Sequence, residues 1–187
     1  TWAPHLPLRL RDAAPPITPR DHQIAAWDRL SAYFQSEGRQ AGLVVVPTGG
    51  GKTVLAAHWL LEHHIRKGGR VLWLAHRRSL LRQAMATFRN LGNLAHPKAS
   101  LLLAAVSSTD ARWATVSREH DVVFSSFQTA VLEANLGFVQ QFVDEAEGGV
   151  FVVVDEAHHA PAPSYARLLR DLKKRGCKLL GLTATPV

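Results

Sequence analysis

Short runs of consecutive apolar residues alternate along this chain with longer segments in which apolar residues recur every three or four positions. The runs fall at 43–46, 71–74, 101–106, 122–125, 150–154 and 179–182. They are too short for helices and rich in Val and Leu, which predicts parallel strands buried on both faces. Between them, Ile24, Trp27, Leu30 and Phe34 share helical spacing, and Gly38 closes that segment. A helix is predicted over 52–66, ended by Gly68 and Gly69. Another spans 79–91, with Leu80, Leu81, Ala84, Met85 and Phe88 on one stripe. Further helices are predicted over 127–135, 138–146 and 164–175. Strand and helix alternate with no tight hairpin signal. The expected fold is therefore α/β, a mainly parallel sheet joined by right-handed crossovers with helices on both faces. Ligands of such sheets sit at the carboxyl ends of the strands, so the informative residues belong just after the apolar runs.

Composition narrows the reading. A chain of 187 residues, 47% apolar and 20% charged, suits one soluble domain with a sizeable core. Residues 1–16 carry four prolines and no clear period, and are read as a linker or N-terminal extension before a domain over 17–187. They lack the apolar core and cleavage site of a secretory signal. No run approaches the roughly 20 residues of a membrane span. The single cysteine, Cys177, excludes an internal disulfide and a thiol cluster for zinc, and points to a cytoplasmic protein. A net charge of +7 favours a polyanionic partner such as nucleic acid.

The chemistry starts after the first predicted strand. Pro47, Thr48, Gly49, Gly50, Gly51, Lys52 and Thr53 join that strand to a helix. Glycines let the backbone turn tightly with its N–H groups facing inward, where they hold phosphate oxygens. The helix adds its positive end. Lys52 can reach β- and γ-phosphates, and the Thr53 hydroxyl can ligate Mg²⁺. Val46 stands where the full phosphate-loop pattern has its first glycine, so the match is to the tail of that pattern.

The strand over 150–154 runs into Asp155 and Glu156. A carboxylate at the end of a buried strand needs a partner. Nucleotide-bound Mg²⁺ is one, with Asp155 holding the metal through water and Glu156 orienting or deprotonating the attacking water.

Five segments together resemble the first RecA-like domain of superfamily 2 DEAD/DEAH-box helicases and translocases. PTGGGKT resembles motif I, VLWLAHRRSLLRQ motif Ia, VVFSSFQTA motif Ib, VVVDEAHH motif II and LLGLTATP motif III. The wording is most similar to the branch of the type III restriction-enzyme motor subunits. The resemblance implies a RecA-like P-loop domain that takes ATP and Mg²⁺. It assigns Gln23 and Arg20 to the adenine edge, with Asp21 where the family has proline. Arg77, Ser126, Gln128 and Thr129 would contact the nucleic-acid backbone, DNA being favoured over RNA. His158, Thr183 and Thr185 would couple hydrolysis to strand binding. The implied activity is an ATP-dependent helicase or translocase, and the alternative is an ATP-switched clamp without directional unwinding. The resemblance also implies a second RecA-like domain, absent from these residues, without which the domain binds nucleotide with little hydrolysis.

Weaker signals have plainer readings. Arg167, Arg170, Lys173, Lys174 and Arg175 fit a solvated helix face. His63 and His64 read as surface residues favoured by a helix end, since no cysteine accompanies them and the spacing is not that of a zinc helix. Trp27, Trp59 and Trp73 are assigned to packing, and Trp2 and Trp113 are left undecided.

Overall fold

The structure is a computed structural model. It describes residues 5–9, 19, 21–47, 49–95, 98, 100–108, 112–157 and 162–184, with the side chains of 5–9 and 22 undescribed. Seven strands form one sheet: β1 (His5–Arg9), β2 (Ala41–Val45), β3 (Arg70–Ala75), β4 (Ser100–Val106), β5 (Val122–Ser126), β6 (Val150–Asp155) and β7 (Lys178–Thr183). Their order is β1-β4-β5-β3-β6-β7-β2. β2 to β7 run parallel, and β1 lies antiparallel on the β4 edge, His5 opposite Ala104. The stretch expected as a linker or extension thus contains an edge strand.

Among the described residues, six α-helices cover the sheet: α1 (Asp21–Gln35), α2 (Lys52–His63), α3 (Arg78–Leu91), the single turn α4 (Phe127–Ala130), α5 (Glu133–Asp144) and α6 (Pro163–Lys174). Side chains alternate across each strand, so the sheet feeds two cores. Val71, Trp73 and Ala75 of β3 pack with α1, α2 and α3, while Leu72 and Leu74 pack with α5 and α6. Trp113 closes the second core, fully buried. Crossovers to the β4 side use one face and those returning use the other, as a single hand of connection requires. Among the described residues, no helix is long and apolar enough to cross a membrane.

α1 docks on α2 through specific polar contacts as well as burial. The Trp27 indole donates to the Leu55 carbonyl at 2.9 Å, the Trp59 indole donates to Ser31 Oγ at 2.8 Å, and Trp27 stacks on His58 at 3.8 Å. These contacts fix the middle of α1 against the first two turns of α2.

Four local expectations need correction. β2 is not buried on both faces: it is an edge strand paired with β7, and Leu43 and Val45 are 49% and 44% exposed. Apolar composition reports a strand's preference, while its place in the sheet order decides what covers it. Ile24 is exposed rather than on the core stripe of α1. The helix predicted over 127–135 is broken after one turn, and α5 begins at Glu133. Leu132 takes extended angles there, and the Asn135 side-chain amide donates to the Thr129 carbonyl at 2.8 Å, capping the freed group. His64 is not a surface residue favoured by the helix end. It packs edge-on against Phe151 with Nε2 2.9 Å from the Arg70 carbonyl, and burial pushes its pKa down to about 4, so it is uncharged at neutral pH.

Candidate functional site

Because β2 to β7 are parallel, their carboxyl ends share one edge of the sheet. β7 lies between β2 and β6, so Thr183 separates the strand that feeds the glycine loop from the strand that ends in Asp155. The loop leaves β2 with the Val46 N–H donating to the Thr183 carbonyl at 3.0 Å, then turns on a Gly50 N–H to Pro47 carbonyl bond of 2.8 Å.

Glycine is needed in this turn for two separate reasons. Gly49 and Gly51 sit at φ 79° and 77°, in the left-handed region that costs a residue with Cβ. A Cβ on Gly50 would run into Val46 Cγ1 and lie 2.9 Å from the Pro47 carbonyl oxygen. Gly51 is the N-cap of α2 with no side chain to bond its first N–H groups. Lys52 and the buried Thr53 open the helix, so the helix start and the glycine turn make one concave rim of backbone donors. That cradle fits phosphate. Gln23, buried on the first turn of α1, brings its amide to the rim: a Cβ on Gly51 would lie 3.1 Å from Gln23 Nε2.

Opposite the rim stand the two carboxylates. Asp155 is 1% exposed and accepts the Glu156 backbone N–H at 3.0 Å. Burial raises its pKa, and the nearby Lys52 ammonium pulls it back. Glu156 has φ 56°, the one non-glycine with positive φ among the described residues. Such strain gathers where surrounding structure dictates the backbone. Here the Ala157 N–H is held by the Leu182 carbonyl at 2.8 Å, and Gly181 leaves room for Ala157, since a Cβ there would lie 3.3 Å from Ala157 Cβ. The turn aims Glu156 at the loop, where Lys52 Nζ bonds Glu156 Oε1 in a partly buried ion pair.

The structure thus brings together Gln23, Gly49, Gly50, Gly51, Lys52, Asp155 and Glu156, with Thr53 and Thr183 beside them. Arg20, Thr48, His158 and Thr185 lie outside the described residues, as do Trp2 and His159. The motif Ia and Ib residues sit apart, after β3 and β5. Arg77 and Gln128 are exposed, and the Gln128 amide reaches toward the His76 carbonyl at 3.5 Å. Ser126 and Thr129 are buried, with Ser126 Oγ donating to Thr129 Oγ1 at 2.8 Å and capping α4 by accepting the Thr129 N–H at 3.2 Å. Among the described residues, no group of His, Cys, Asp and Glu could by itself hold a metal ion. The basic residues of α6 are exposed, and Arg175 is tied to Asp144 and Asp171. Sequence reading missed the Lys52–Glu156 pair and the strained turn at Glu156, which no local pattern announces.

Comparison with known proteins decides the family. The family described as "Type III restriction enzyme, res subunit" matches residues 16–187. The chain belongs to that family. Its fold is the first RecA-like domain of superfamily 2 helicases. The chain is 29% identical to Dicer-like protein 1 of Cryphonectria parasitica over 188 residues, covering 91% of this chain and 11% of that protein. It is 28% identical to the ATP-dependent DNA helicase mph1 of Aspergillus fumigatus, covering 77% and 13%. It therefore spans only about an eighth of these relatives' lengths. Among solved structures, the Hef helicase domain of Pyrococcus furiosus aligns with TM-score 0.66 and 26% identity, over 90% of this chain and 33% of that one. The SWI2/SNF2 ATPase core of Sulfolobus solfataricus, solved with double-stranded DNA, aligns with TM-score 0.65 and 16% identity, over 93% and 33%, a likeness of fold.

Proposed function

We propose that this domain binds Mg²⁺–ATP between the loop 49–53 and the Asp155–Glu156 pair, and serves as the nucleotide-binding half of a nucleic-acid-dependent helicase or translocase. The observation that carries the reading is the meeting of Lys52 and Glu156, which joins a phosphate cradle to a carboxylate pair at one sheet edge. Backbone N–H groups of the loop and the α2 terminus hold the phosphates, with Lys52 on the β- and γ-phosphates. Thr53 and Asp155 would hold the metal, which would supply positive charge to the phosphates. Bound ATP supplies the phosphoryl group that water attacks. Lys52 moves from Glu156 to the phosphates, which leaves the Glu156 carboxylate able to orient the water and accept its proton. Gln23 and Arg20 read the adenine edge, while His158, Thr183 and Thr185 couple hydrolysis to strand binding.

Nucleic acid, DNA in preference to RNA, runs over the loops after β3 and β5. Arg77 and Gln128 are exposed there and make the backbone contacts. Ser126 and Thr129, whose hydroxyls are spent on each other, shape the turn that presents Gln128. A second RecA-like domain in the same protein supplies a charge-stabilising arginine and the other half of the track. Titrating DNA and RNA into a steady-state ATPase assay on the full-length protein tests the reading. A rate that rises with DNA supports it, and a rate indifferent to any nucleic acid refutes it.

A further inference from the structure

α1 and α2 meet along a ladder of contacts whose first rung lies at the phosphate cradle. A Cβ on Gly51 would lie 3.1 Å from Gln23 Nε2, which places the Gln23 amide at the N-cap of α2. One turn on in each helix, the Trp27 indole donates to the Leu55 carbonyl. One further turn on, the Trp59 indole donates to Ser31 Oγ. Both hydrogen-bonded rungs join residues 28 positions apart, the same offset that separates Gln23 from Gly51. A constant offset over three turns means that the two helices advance in the same direction and in register.

This register ties Trp27 to the cradle by a short route. The Leu55 N–H donates to the Gly51 carbonyl at 2.8 Å, so the residue that accepts the indole is itself bonded to the rim. The Trp27 ring lies against His58, 3.8 Å between centroids and 16° between planes, which fixes the direction of its N–H. From Asp21 to Asp28, Gln23 and Trp27 are the two buried side chains among those described, and Ala26 is half-buried. Four residues of helix span about 6 Å. With Trp27 released, the nearest hydrogen bond between α1 and α2 among the described residues would be the Ser31 rung, about 12 Å along the helix from Gln23.

We propose that Trp27 is a positioning residue that sets the adenine preference of the nucleotide site by holding Gln23 at the cradle. This rests on the proposed reading of Gln23 as a contact to the adenine edge. An amide reads a base edge through hydrogen bonds that weaken steeply with distance and angle, so a small swing of the first turn of α1 costs contacts to the base. The phosphates are held by other groups. The loop 49–53 takes its shape from the bonds of Val46 to Thr183 and of Gly50 to Pro47, neither of which involves α1. Trp27 therefore acts on the choice of base and leaves the grip on phosphate alone.

The test uses the full-length protein with Trp27→Phe, Trp27→Leu, Ser31→Ala, Gln23→Ala and the double variant Gln23→Ala with Trp27→Phe. Non-hydrolysable ATP and GTP analogues and inorganic tripolyphosphate, each with Mg²⁺, are titrated into every protein, beside thermal melting. Trp27→Phe keeps a ring against His58 and loses the donor, while Trp27→Leu loses both. Each should lower the preference for ATP over GTP about three- to tenfold, the worth of one hydrogen bond, and leave tripolyphosphate affinity unchanged. Ser31→Ala removes the far rung and should keep the preference. In the Gln23→Ala background, Trp27→Phe should change the preference no further, because it acts through that amide. An unchanged preference in the two Trp27 variants overturns the proposal. So does an equal loss of affinity for all three ligands with a lowered melting temperature, which marks a packing role only. An equal fall of preference in Ser31→Ala, or a further fall on the Gln23→Ala background, overturns it as well. If the wild type shows no preference for ATP over GTP, or Gln23→Ala keeps that preference, the reading of Gln23 fails and the proposal falls with it.

Discussion

Lys52 and Glu156, 104 residues apart in sequence, hold each other across the carboxyl edge of the sheet. The ammonium that would serve a phosphate is thus engaged with the carboxylate that would serve a water. Nucleotide bound as proposed would have to compete for Lys52, and would thereby release Glu156. Removing either member should therefore have different consequences.

Glu156→Gln keeps the side chain's size and its hydrogen bond but removes the base. In the full-length protein it should bind ATP at least as tightly as the wild type, and lose turnover about 10²- to 10⁴-fold, the usual contribution of a general base. Parallel nucleotide titration and ATPase assays check this. Near-normal turnover would assign the base elsewhere.

Gly50→Ala should cost nucleotide affinity, because the new methyl runs into Val46 and crowds the Pro47 carbonyl, both at the root of the loop. Gly137→Ala provides the contrast. That residue is exposed inside α5 with nothing within 4 Å of the added carbon, so the change should raise stability by about 0.5–1 kcal/mol. Chemical denaturation and nucleotide titration of the two variants separate the effects. Equal nucleotide affinity in both would show that the turn at Gly50 tolerates a side chain.

Asp155 should be a stability cost at neutral pH. Its pKa is raised by burial, so folding is disfavoured above that pKa, where the carboxyl must be charged, and the penalty disappears as pH falls below the unfolded value. Asp155→Asn is then expected to raise the melting temperature at pH 7, with the gain shrinking toward pH 4, while abolishing hydrolysis. Melting curves across pH measure this, and a variant less stable at pH 7 would contradict it.

His64 has the opposite sign. Its folded pKa of about 4 lies below the ordinary 6.5, so the neutral form favoured by the fold is fully effective above pH 6.5 and its advantage drains away as pH falls toward 4. The difference is worth on the order of 3 kcal/mol at most. His64→Gln should flatten that part of the stability profile, as read by denaturant midpoints between pH 7 and pH 4. An unchanged slope would place the acid sensitivity in another group.

The residues of this candidate site were legible because the residue types suited to phosphate loops and metal carboxylates announce themselves next to apolar runs. Glycines before Lys52 and an acidic pair after three valines need no tertiary knowledge. The β3 and β6 runs likewise gave strands within a residue of those observed. What stayed hidden depends on neighbours distant in sequence. The exposure of Leu43 and Val45 follows from β2 standing at the end of the sheet order. The break after Ala130 is the local exception, with the Asn135 amide bonding the Thr129 carbonyl six residues back. The burial of His64 follows from a ring contact with Phe151, 87 positions along the chain.

Calorimetric titration of a non-hydrolysable ATP analogue with Mg²⁺ into the wild type and into Lys52→Ala, each verified as folded by circular dichroism, addresses the nucleotide site itself. The wild type should bind, and Lys52→Ala should bind at least about tenfold more weakly, since a hydrogen bond from a charged donor is worth roughly 1.5–3 kcal/mol. Equal affinity in the two proteins, or no binding to the wild type, would contradict a phosphate site at the loop 49–53.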